Sequence, residues 1–322
     1  MNRGLKGLIV AGSIFLGVGL TVGLVGFCLI GFNVANLSTI EKEDKTYKVD
    51  DISFTNIEIN EITSSVTFIK SNDGECKIEC VETEKISHEV TVSDGTLRLI
   101  TKDTTKWFDF MKFGNWNLTT KVYLPETTYE NIKVSNKTGS ITMPKDFSFT
   151  TANVDNSTGS ITWKANVTND FTAINQTGSI KISDSVFGSI DAKASTGSIN
   201  MDNVTVNALL KAKCSTGSIN IKDSTMENLT LECSTGSIKL EEAVASKHMD
   251  LETTTGSIKG TEIDAETIDG ETDTGSIKLS LLTSKIFDCR SDTGSVHTPE
   301  SDVTKGLCKL RSDTGSITVT IA

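Results

Sequence analysis

Hydrophobic and polar residues alternate along most of this chain, and a short polar motif interrupts the alternation at regular intervals. The stretch Leu229-Thr-Leu-Glu-Cys shows the pattern before one motif, and Ile219-Asn-Ile shows it after another. A period of two predicts β-strands, because successive side chains of a strand point to opposite faces. The motif, Thr-Gly-Ser followed by Ile or Val, begins ten times between Thr138 and Thr314, at intervals of 19 to 21 residues. The chain is therefore predicted to repeat a two-strand unit with a glycine corner.

Repeats of this length, with strands and no helical pattern, predict a solenoid in which each unit forms one coil. We expect an all-β, right-handed-type parallel β-solenoid (β-helix) of about ten 19–20-residue coils over residues 131–322, about 45–50 Å long at the usual strand spacing. The Ile or Val of each motif predicts a buried row. The glycine of each motif fits a corner that needs positive φ or has no room for a Cβ atom. This column comprises Gly139, Gly159, Gly178, Gly197, Gly217, Gly236, Gly256, Gly275, Gly294 and Gly315.

The stretch before the repeats is less regular, and we expect it to form a β-rich N-terminal cap over residues 47–130. Ser64-Ser65-Val66 stands where a degenerate first coil would carry its corner motif. Asp94-Gly95 between alternating segments predicts a hairpin turn. Such a cap would cover the first open coil, as the terminal repeats of solenoids do.

Four features in this order resemble a known family. They are the degenerate first strand pair, the hairpin Asp94-Gly95-Thr96-Leu97, the strand Val122-Tyr123-Leu124-Pro125, and the repeated Thr-Gly-Ser-Ile. Together they are similar to the bacterial toastrack, or "putative adhesin", β-strand-repeat family over residues 49–322. The resemblance implies a β-helical or toastrack-like fold and a cell-envelope setting. It implies no catalytic residues, because the family is a domain of unknown function.

The N-terminal region contains a long apolar run. Residues 7–32 carry no charged side chain, and about 20 apolar residues suffice to span a bilayer as a helix. Arg3 and Lys6 precede the run, so the positive-inside rule places a stub, residues 1–6, in the cytoplasm and everything after a linker, residues 33–46, outside. We expect an uncleaved signal anchor in the plasma membrane, with a cleaved signal peptide as the alternative. The glycine-rich face of this transmembrane helix could support self-association.

Composition limits the class of function. The formal net charge is −11, with 42 acidic against 31 basic residues, which argues against nucleic-acid binding. The three His residues lie far apart, and no Cys/His spacing indicates a nucleophile or a zinc site. We therefore expect a protein that is not an enzyme and that uses no cofactor.

Three corners carry an aspartate, which produces the letters Asp-Thr-Gly-Ser of aspartic proteases. That chemistry needs two converging carboxylates, whereas these aspartates continue a surface row of Ser and Thr. We expect Arg290 and Arg311 to neutralise two of them, and a cation shared by Asp273 and Asp292 is a weaker alternative. The weak metal candidates are Asp273, Asp292 and Asp313.

Two further groups of residues leave alternatives open. The pairs Cys214/Cys233 and Cys289/Cys308 lie in neighbouring coils, where distance allows a disulfide but parallel Cβ directions favour free, buried thiols. An aromatic insertion either plugs the N-terminal end of the solenoid or contacts a membrane or a partner. Its members are Trp107, Phe108, Phe110, Phe113 and Trp116.

These expectations combine into a membrane-anchored, extracytoplasmic surface scaffold with adhesin-like binding. Its partner would be an envelope polymer, a host surface or a membrane protein. The alternative is an accessory regulator of envelope-stress signalling that acts through a membrane partner. The last strand, within Thr314 to Ala322, is expected to leave an open solenoid end that self-associates.

Overall fold

The computed structural model describes residues 41–105 and 118–322, together with Val18, Gly19, Thr21 and Val25. The predicted stub, 1–6, lies outside the described residues, as does the predicted transmembrane segment, 7–32, except for those four positions. Within the described residues, no helix has the length and apolarity needed to cross a membrane. The first strand begins at Lys42, inside the predicted linker 33–46, so the β-rich region starts earlier than expected.

Strands make up nearly all of the described chain, first in a cap and then in a rod. The cap strands are β1 Lys42–Val49, β2 Asn56–Glu61, β3 Ser64–Lys70, β4 Cys76–Thr83, β5 Ile86–Ser93, β6 Thr96–Asp103 and β7 Leu118–Leu124. The rod strands are β8 Thr128–Thr138, β9 Ile141–Met143, β10 Ser148–Thr158, β11 Ile161–Trp163, β12 Asn166–Thr177, β13 Ile180–Thr196, β14 Ile199–Thr216, β15 Ile219–Thr235, β16 Ile238–Thr255, β17 Ile258–Ile263, β18 Thr267–Thr274, β19 Ile277–Leu281, β20 Ile286–Thr293, β21 Val296–His297, β22 Leu307–Thr314 and β23 Ile317–Ile321.

The rod is a parallel β-solenoid of about ten coils, as the repeat predicts. Equivalent residues of neighbouring coils pair in register, so that Ile199 lies opposite Ile219 and Cys214 lies opposite Cys233. In the middle coils the segments between two corners run together as strands of 17 or 18 residues. Each coil therefore repeats the side-chain positions of its neighbour, and equivalent residues form rows along the rod.

The interior of the rod consists of stacked apolar rows. The Ile of the motif is fully buried in every coil from Ile141 to Ile317, whereas Val296 is 39% exposed. Aromatic rings fill the first coils in a continuous stack whose centroids lie 4.8 to 6.0 Å apart. Such pairs stabilise a core by about 0.5–1.5 kcal/mol each beyond the burial of area. The stack comprises Phe54, Tyr129, Phe149, Trp163, Phe171 and Phe187.

The corner glycines meet both conditions that the sequence suggested. Gly236 has φ of 140°, a conformation that residues with a Cβ atom rarely adopt. A Cβ atom on Gly236 would also lie 1.6 Å from the carbonyl oxygen of Gly217 in the neighbouring coil. Glycine at the corner therefore lets one coil approach the next at the spacing of hydrogen-bonded strands.

In eight of the ten coils, the side chain two positions before the motif donates a hydrogen bond to a corner carbonyl of the neighbouring coil. The Nδ2 group of Asn175 donates to the carbonyl of Gly159 at 2.8 Å. The Oγ1 hydroxyl of Thr272 donates to the carbonyl of Gly256 at 3.0 Å. Amide, thiol and hydroxyl groups follow one another in short runs along this column, because each can donate to a buried carbonyl that would otherwise lack a partner. The two exceptions in this column are Ala194, which has no side-chain donor, and Asn156, whose buried amide has no hydrogen-bond partner within the described residues.

The cap joins the rod through parallel strands and ends in antiparallel ones. β2 pairs in parallel with β8, and Val66 of β3 lies opposite Ile141, the motif isoleucine of the first coil. The β5–β6 hairpin turns at Asp94-Gly95, where both φ angles are positive, as the sequence predicts. β1 pairs antiparallel with β4, and β5 with β6, as the outermost strands. β1 carries the charged run Lys42-Glu-Asp-Lys, and charge on an edge strand discourages pairing with other chains.

The last two coils are stacked out of sequence order. Thr314 of β22 pairs with Thr274 of β18 on one side and with Thr293 of β20 on the other. β23 likewise pairs with β19 and with β21. After β19 the chain leaves one layer empty and forms the outermost layer with β20 and β21. It then returns through residues 298–306, and β22 and β23 fill the layer between. The expectation that Thr314 to Ala322 forms the outermost layer is wrong, because β20 and β21 lie outside it.

The inner and outer coils differ in how deeply their side chains are buried. Both coils contain Arg-Ser-Asp-Thr-Gly-Ser, at 290–295 and 311–316, so the corner motif cannot distinguish them. Leu310 and Ile317 of the inserted coil are fully buried. Cys289 is only partly buried in the outer coil, where Val296 is exposed. At these two positions the larger apolar residue lies between two layers and is removed from water, whereas Phe287 of the outer coil lies opposite the smaller Cys308.

We expect Gly236→Ala to destabilise the rod by at least about 3 kcal/mol. The added Cβ atom would clash with the main chain of the neighbouring coil, which is held in place by its own strand hydrogen bonds. Gly74→Ala is the matched control: Gly74 also has positive φ, 77°, but no atom lies within 4 Å of an added Cβ. This control should cost about 1 kcal/mol. Urea unfolding followed by far-ultraviolet circular dichroism measures both, and equal losses would contradict the packing argument.

Nitroxide labels can establish the order of the last coils. Lys278 lies opposite Thr318, and Thr318 lies opposite His297, so positions 278 and 318 are one layer apart and 278 and 297 are two layers apart. One layer is about 4.8 Å. Both double variants are made in a background with Cys28 and Cys289 replaced by Ser, and each carries two nitroxide labels. We expect stronger spin–spin broadening in the spectrum of the labelled Lys278→Cys/Thr318→Cys variant than in that of the labelled Lys278→Cys/His297→Cys variant. The reverse ranking would mean that the coils stack in sequence order.

Candidate functional site

A buried cluster of charged side chains closes the N-terminal end of the rod. The side chains of Glu61 and His88 are both 0% exposed, and Glu61 Oε1 lies 3.2 Å from His88 Nε2. The other ring nitrogen, Nδ1, lies 3.1 Å from Glu82 Oε1. The hydroxyl of Tyr47 donates to the same Glu82 oxygen at 2.6 Å. These residues come from β1, β2, β4 and β5, so the cluster ties together the strands that cover the first coil.

The surroundings of His88 favour the imidazolium form of its ring. Burial by itself would lower the pKa of His88, but hydrogen bonds with Cys80 and Glu61 outweigh burial and raise this pKa to about 10. Burial opposes ionisation of Glu61, yet hydrogen bonds from His88 and from two threonines leave its pKa below the usual value. The pKa of Glu82 is lowered against burial in the same way, by hydrogen bonds from Tyr47 and His88. The cluster is therefore a buried carboxylate–imidazolium–carboxylate network.

This network brings Cys80 and His88 together, yet its geometry does not suit nucleophilic catalysis. Both ring nitrogens of His88 face carboxylate oxygens. Cys80 is 2% exposed, so a substrate could not reach its sulfur. Buried ion pairs of this kind can fix the relative positions of the elements that carry them. We assign the network to closing the end of the solenoid.

A polar groove lies on the outer face next to the cap, across β6, β2, β8, β10 and β12. Its volume is about 540 Å³. The Nδ2 group of Asn131 donates to Asn56 Oδ1 at 2.7 Å, and Thr151 donates to Asn131 in turn. On the same strands, Arg98 Nε lies 3.3 Å from Glu58 Oε2. Such a lining of amides and charges suits a hydrated, polar ligand rather than an apolar one.

A second outer surface carries a row of lysines. Lys239 lies opposite Lys259, and Lys259 lies opposite Lys278, so the three occupy one row in successive coils. All three are exposed, and within the described residues none has a carboxylate within 4 Å. By contrast, Lys213 lies 2.6 Å from Glu232 on another face of the rod. Like charges at adjacent strand positions repel, so this lysine row is a concentrated positive stripe on an acidic protein.

The corner aspartates form one exposed row, in the order Asp273, Asp313, Asp292. Asp273 and Asp292 are therefore not neighbours, which corrects the expectation that these two could share a cation. Arg290 Nε lies 3.4 Å from Asp292 Oδ1, as expected. Arg311 instead pairs with Asp288, at 2.6 Å. Across residues 41–105 and 118–322, no group of three or more His, Cys, Asp or Glu side chains is arranged to hold a metal ion.

The six cysteines of the described chain are free thiols, and five of them are buried. Cys214 and Cys233 belong to the column that bonds the neighbouring coil, and Cys233 Sγ donates to the carbonyl of Gly217 at 3.3 Å. Burial raises the pKa of Cys76 and of Cys308, each to about 12. These thiols act as small core residues and hydrogen-bond donors, in agreement with the free-thiol alternative.

Two overlapping stretches of the chain, residues 54–209 and 166–321, match the family model described as Toastrack DUF4097. The chain belongs to the Toastrack family. A search of curated proteins finds no match to this Toastrack chain.

Three solved structures are similar to this Toastrack chain at low identity. A "putative adhesin" from Bacteroides fragilis NCTC 9343 is 17% identical, with 88% of this chain and 97% of that chain covered and a TM-score of 0.35. A "putative adhesin" from Parabacteroides distasonis ATCC 8503 is 10% identical, with 87% and 98% covered and a TM-score of 0.44. A "putative lipid binding protein" from the same organism is 13% identical, with 86% and 96% covered and a TM-score of 0.43. Likeness at this level identifies no ligand for this chain.

The aromatic insertion of this Toastrack chain, which lies between β6 and β7, is outside the described residues. The alternatives of plug and contact surface therefore stay predictions. The insertion residues in question are Trp107, Phe108, Phe110, Phe113 and Trp116.

Sequence reasoning missed the buried network, although a signal for it was present. Glu61 follows Ile57 and Ile59 at the same alternating positions, and therefore points into the core. His88 follows Ile86 in the same way. One acidic and one basic side chain, each at an inward position of a cap strand, predict a buried ion pair, because neither could be buried alone.

Loss of the His88 charge should weaken the cap in a pH-dependent manner. The pKa of His88 rises from 6.5 unfolded to about 10 folded. Its contribution to stability is therefore complete below about pH 6.5 and is lost as the pH rises towards 10. We expect His88→Gln to lower the free energy of unfolding by a few kcal/mol at pH 6, and by much less at pH 10.

Urea unfolding at pH 6, 8 and 10 measures this difference. His297→Gln, at an exposed position in the outermost coil, is the matched control and should change stability little at any pH. A His88→Gln loss that stays constant across the three pH values would exclude the imidazolium as its source.

Proposed function

We propose that this Toastrack protein is a non-enzymatic surface scaffold that binds a repetitive, anionic polymer of the cell envelope. The observation that carries the proposal is the lysine row of Lys239, Lys259 and Lys278. In-register coils repeat one side chain about every 4.8 Å along the rod. A polymer with regularly spaced phosphate or carboxylate groups can contact several lysines at once. Binding then gains strength from multivalency without a deep pocket.

The proposal includes the anchor that the sequence predicts. Residues 7–32 would hold the chain in the plasma membrane as a signal anchor, with the N-terminus in the cytoplasm. The cap would then be the part of the solenoid nearest the bilayer, and the C-terminal coils would point away from it. A right-handed winding of the coils belongs to the same proposal. The support for anchor and orientation is the apolar run and the charges that flank it.

Neutralising the lysine row should weaken polymer binding. We expect Lys239→Gln/Lys259→Gln/Lys278→Gln to lose at least tenfold in affinity for long-chain polyphosphate and for polygalacturonate. The dependence of binding on salt should also become shallower, because three exposed charges are lost. Titration of each polymer at several sodium chloride concentrations measures both effects.

The matched control removes three lysines that are already paired with carboxylates, as Lys211→Gln/Lys213→Gln/Lys222→Gln. This control changes the net charge equally and should change affinity less than threefold. If both variants lost affinity equally, the loss would be explained by the change in net charge, and this would contradict the role of the lysine row. If neither variant loses affinity and cross-linking in membranes recovers a signalling protein, the envelope-stress regulator is favoured instead.

A further inference from the structure

We infer that the C-terminal end of the rod is a self-association surface through which two copies join tail to tail. β20 forms the outermost layer there, and it pairs with β22 on one side only. Within the described residues no strand lies against its other edge. Phe287 N bonds Ser301 Oγ of the return loop at 3.0 Å, which covers only the beginning of that edge. The remaining main-chain groups of β20 can bond another strand.

Exposed apolar side chains concentrate at this same end. Residues 41–105 and 118–322 contain nine large apolar side chains that are exposed, and five of them lie after position 281. Exposed apolar groups at the end that also has an open strand edge indicate an interaction surface, because the apolar groups gain from removal of water and the strand edge gains from pairing. The five side chains are Leu282, Val296, Val303, Leu307 and Ile321.

The other end of the rod is not a suitable partner for this surface. The cap is closed by antiparallel strands, and its edge strand β1 carries a charged side chain at every position from Lys42 to Lys45. Stacking the C-terminal end on the cap would bury those charges against apolar residues. A second copy of the same C-terminal end presents no such cost. The contact is therefore isologous and closes at two copies rather than growing into a filament.

The charges of β20 are complementary to themselves in such a pair. A two-fold axis through Cys289 pairs the two β20 strands antiparallel. It places Asp288 of each copy opposite Arg290 of the other. Arg290 is 76% exposed beside Asp292 of its own strand, and Asp288 is 54% exposed beside Arg311 of β22. Exposed ion pairs contribute little energy each, so the facing copy can exchange or extend them. Opposite charges at facing positions of antiparallel strands stabilise the pairing.

Complementary charge reversals test this contact on the full-length chain. Each copy is held in its own nanodisc, so that the N-terminal segments of two copies cannot meet. Wild-type discs should pair at micromolar concentrations in sedimentation velocity. Arg290→Asp and Asp288→Arg each place like charges opposite one another and should weaken pairing at least tenfold. A mixture of the two variants places acidic against basic residues at both positions and should restore pairing.

A third variant, Lys45→Asp on the cap edge, is the matched control and should pair like the wild type. Unchanged melting temperatures establish that each variant is folded. Wild-type discs that stay single, or a mixture that pairs no better than either variant alone, would overturn the inference. If the chain does not insert into discs, the same measurement in solution without detergent keeps the test independent of the proposed anchor. The outcome is also independent of polymer binding by the lysine row.

Discussion

The rest of the structure depends on one close contact, between the corner glycine of one coil and the corner carbonyl of the next. This approach leaves no room for a Cβ atom, and the corner needs a φ angle that favours glycine. Because the corners meet so closely, the strands that adjoin them stay in register from coil to coil, although the register shifts at a bulge farther from the corner in most of these coils. Register in turn lines up the buried isoleucines and the side chains that donate to the corner carbonyls. A substitution at one corner would disturb two coils at once.

A structure built from one repeated contact has its distinctive chemistry on its outer rows and at its ends. Along the rows, any side chain that recurs becomes a regularly spaced array, and the unpaired lysines are the clearest example. At the N-terminal end, the antiparallel strands and the Glu61–His88–Glu82 network close the core and leave a charged edge. At the C-terminal end, β20 leaves an open edge with apolar side chains around it. The two ends thus differ in polarity, and this difference gives the rod a direction.

The fold was accessible from the sequence to a large extent, whereas the site was accessible only in part. The ten motifs and their spacing predict coil, corner and core row, because each depends on contacts between equivalent residues of adjacent repeats. The Asp94-Gly95 turn was predictable for a similar reason, since a two-residue turn is a local property. The network of Glu61, His88 and Glu82 was not predicted. Its members come from three strands of the cap that share no repeat, and no local rule says which strands become neighbours there.

The sequence by itself determined that the chain forms a solenoid of about ten coils, that glycine forms its corners, and that one isoleucine per coil lies in the core. These features follow from alternation and period, which are local or nearest-neighbour properties. Only the tertiary structure decided the order of the last two coils and the edge that remains open. Residues 290–295 and 311–316 have the same sequence, so the corner contacts are equivalent in either order. The two coils differ in the side chains around the corner: Leu310 and Ile317 are buried between two layers, whereas Cys289 is only partly buried and Val296 is exposed. Which coil lies inside depends on how these side chains pack against both neighbouring layers, and that is a property of the tertiary structure.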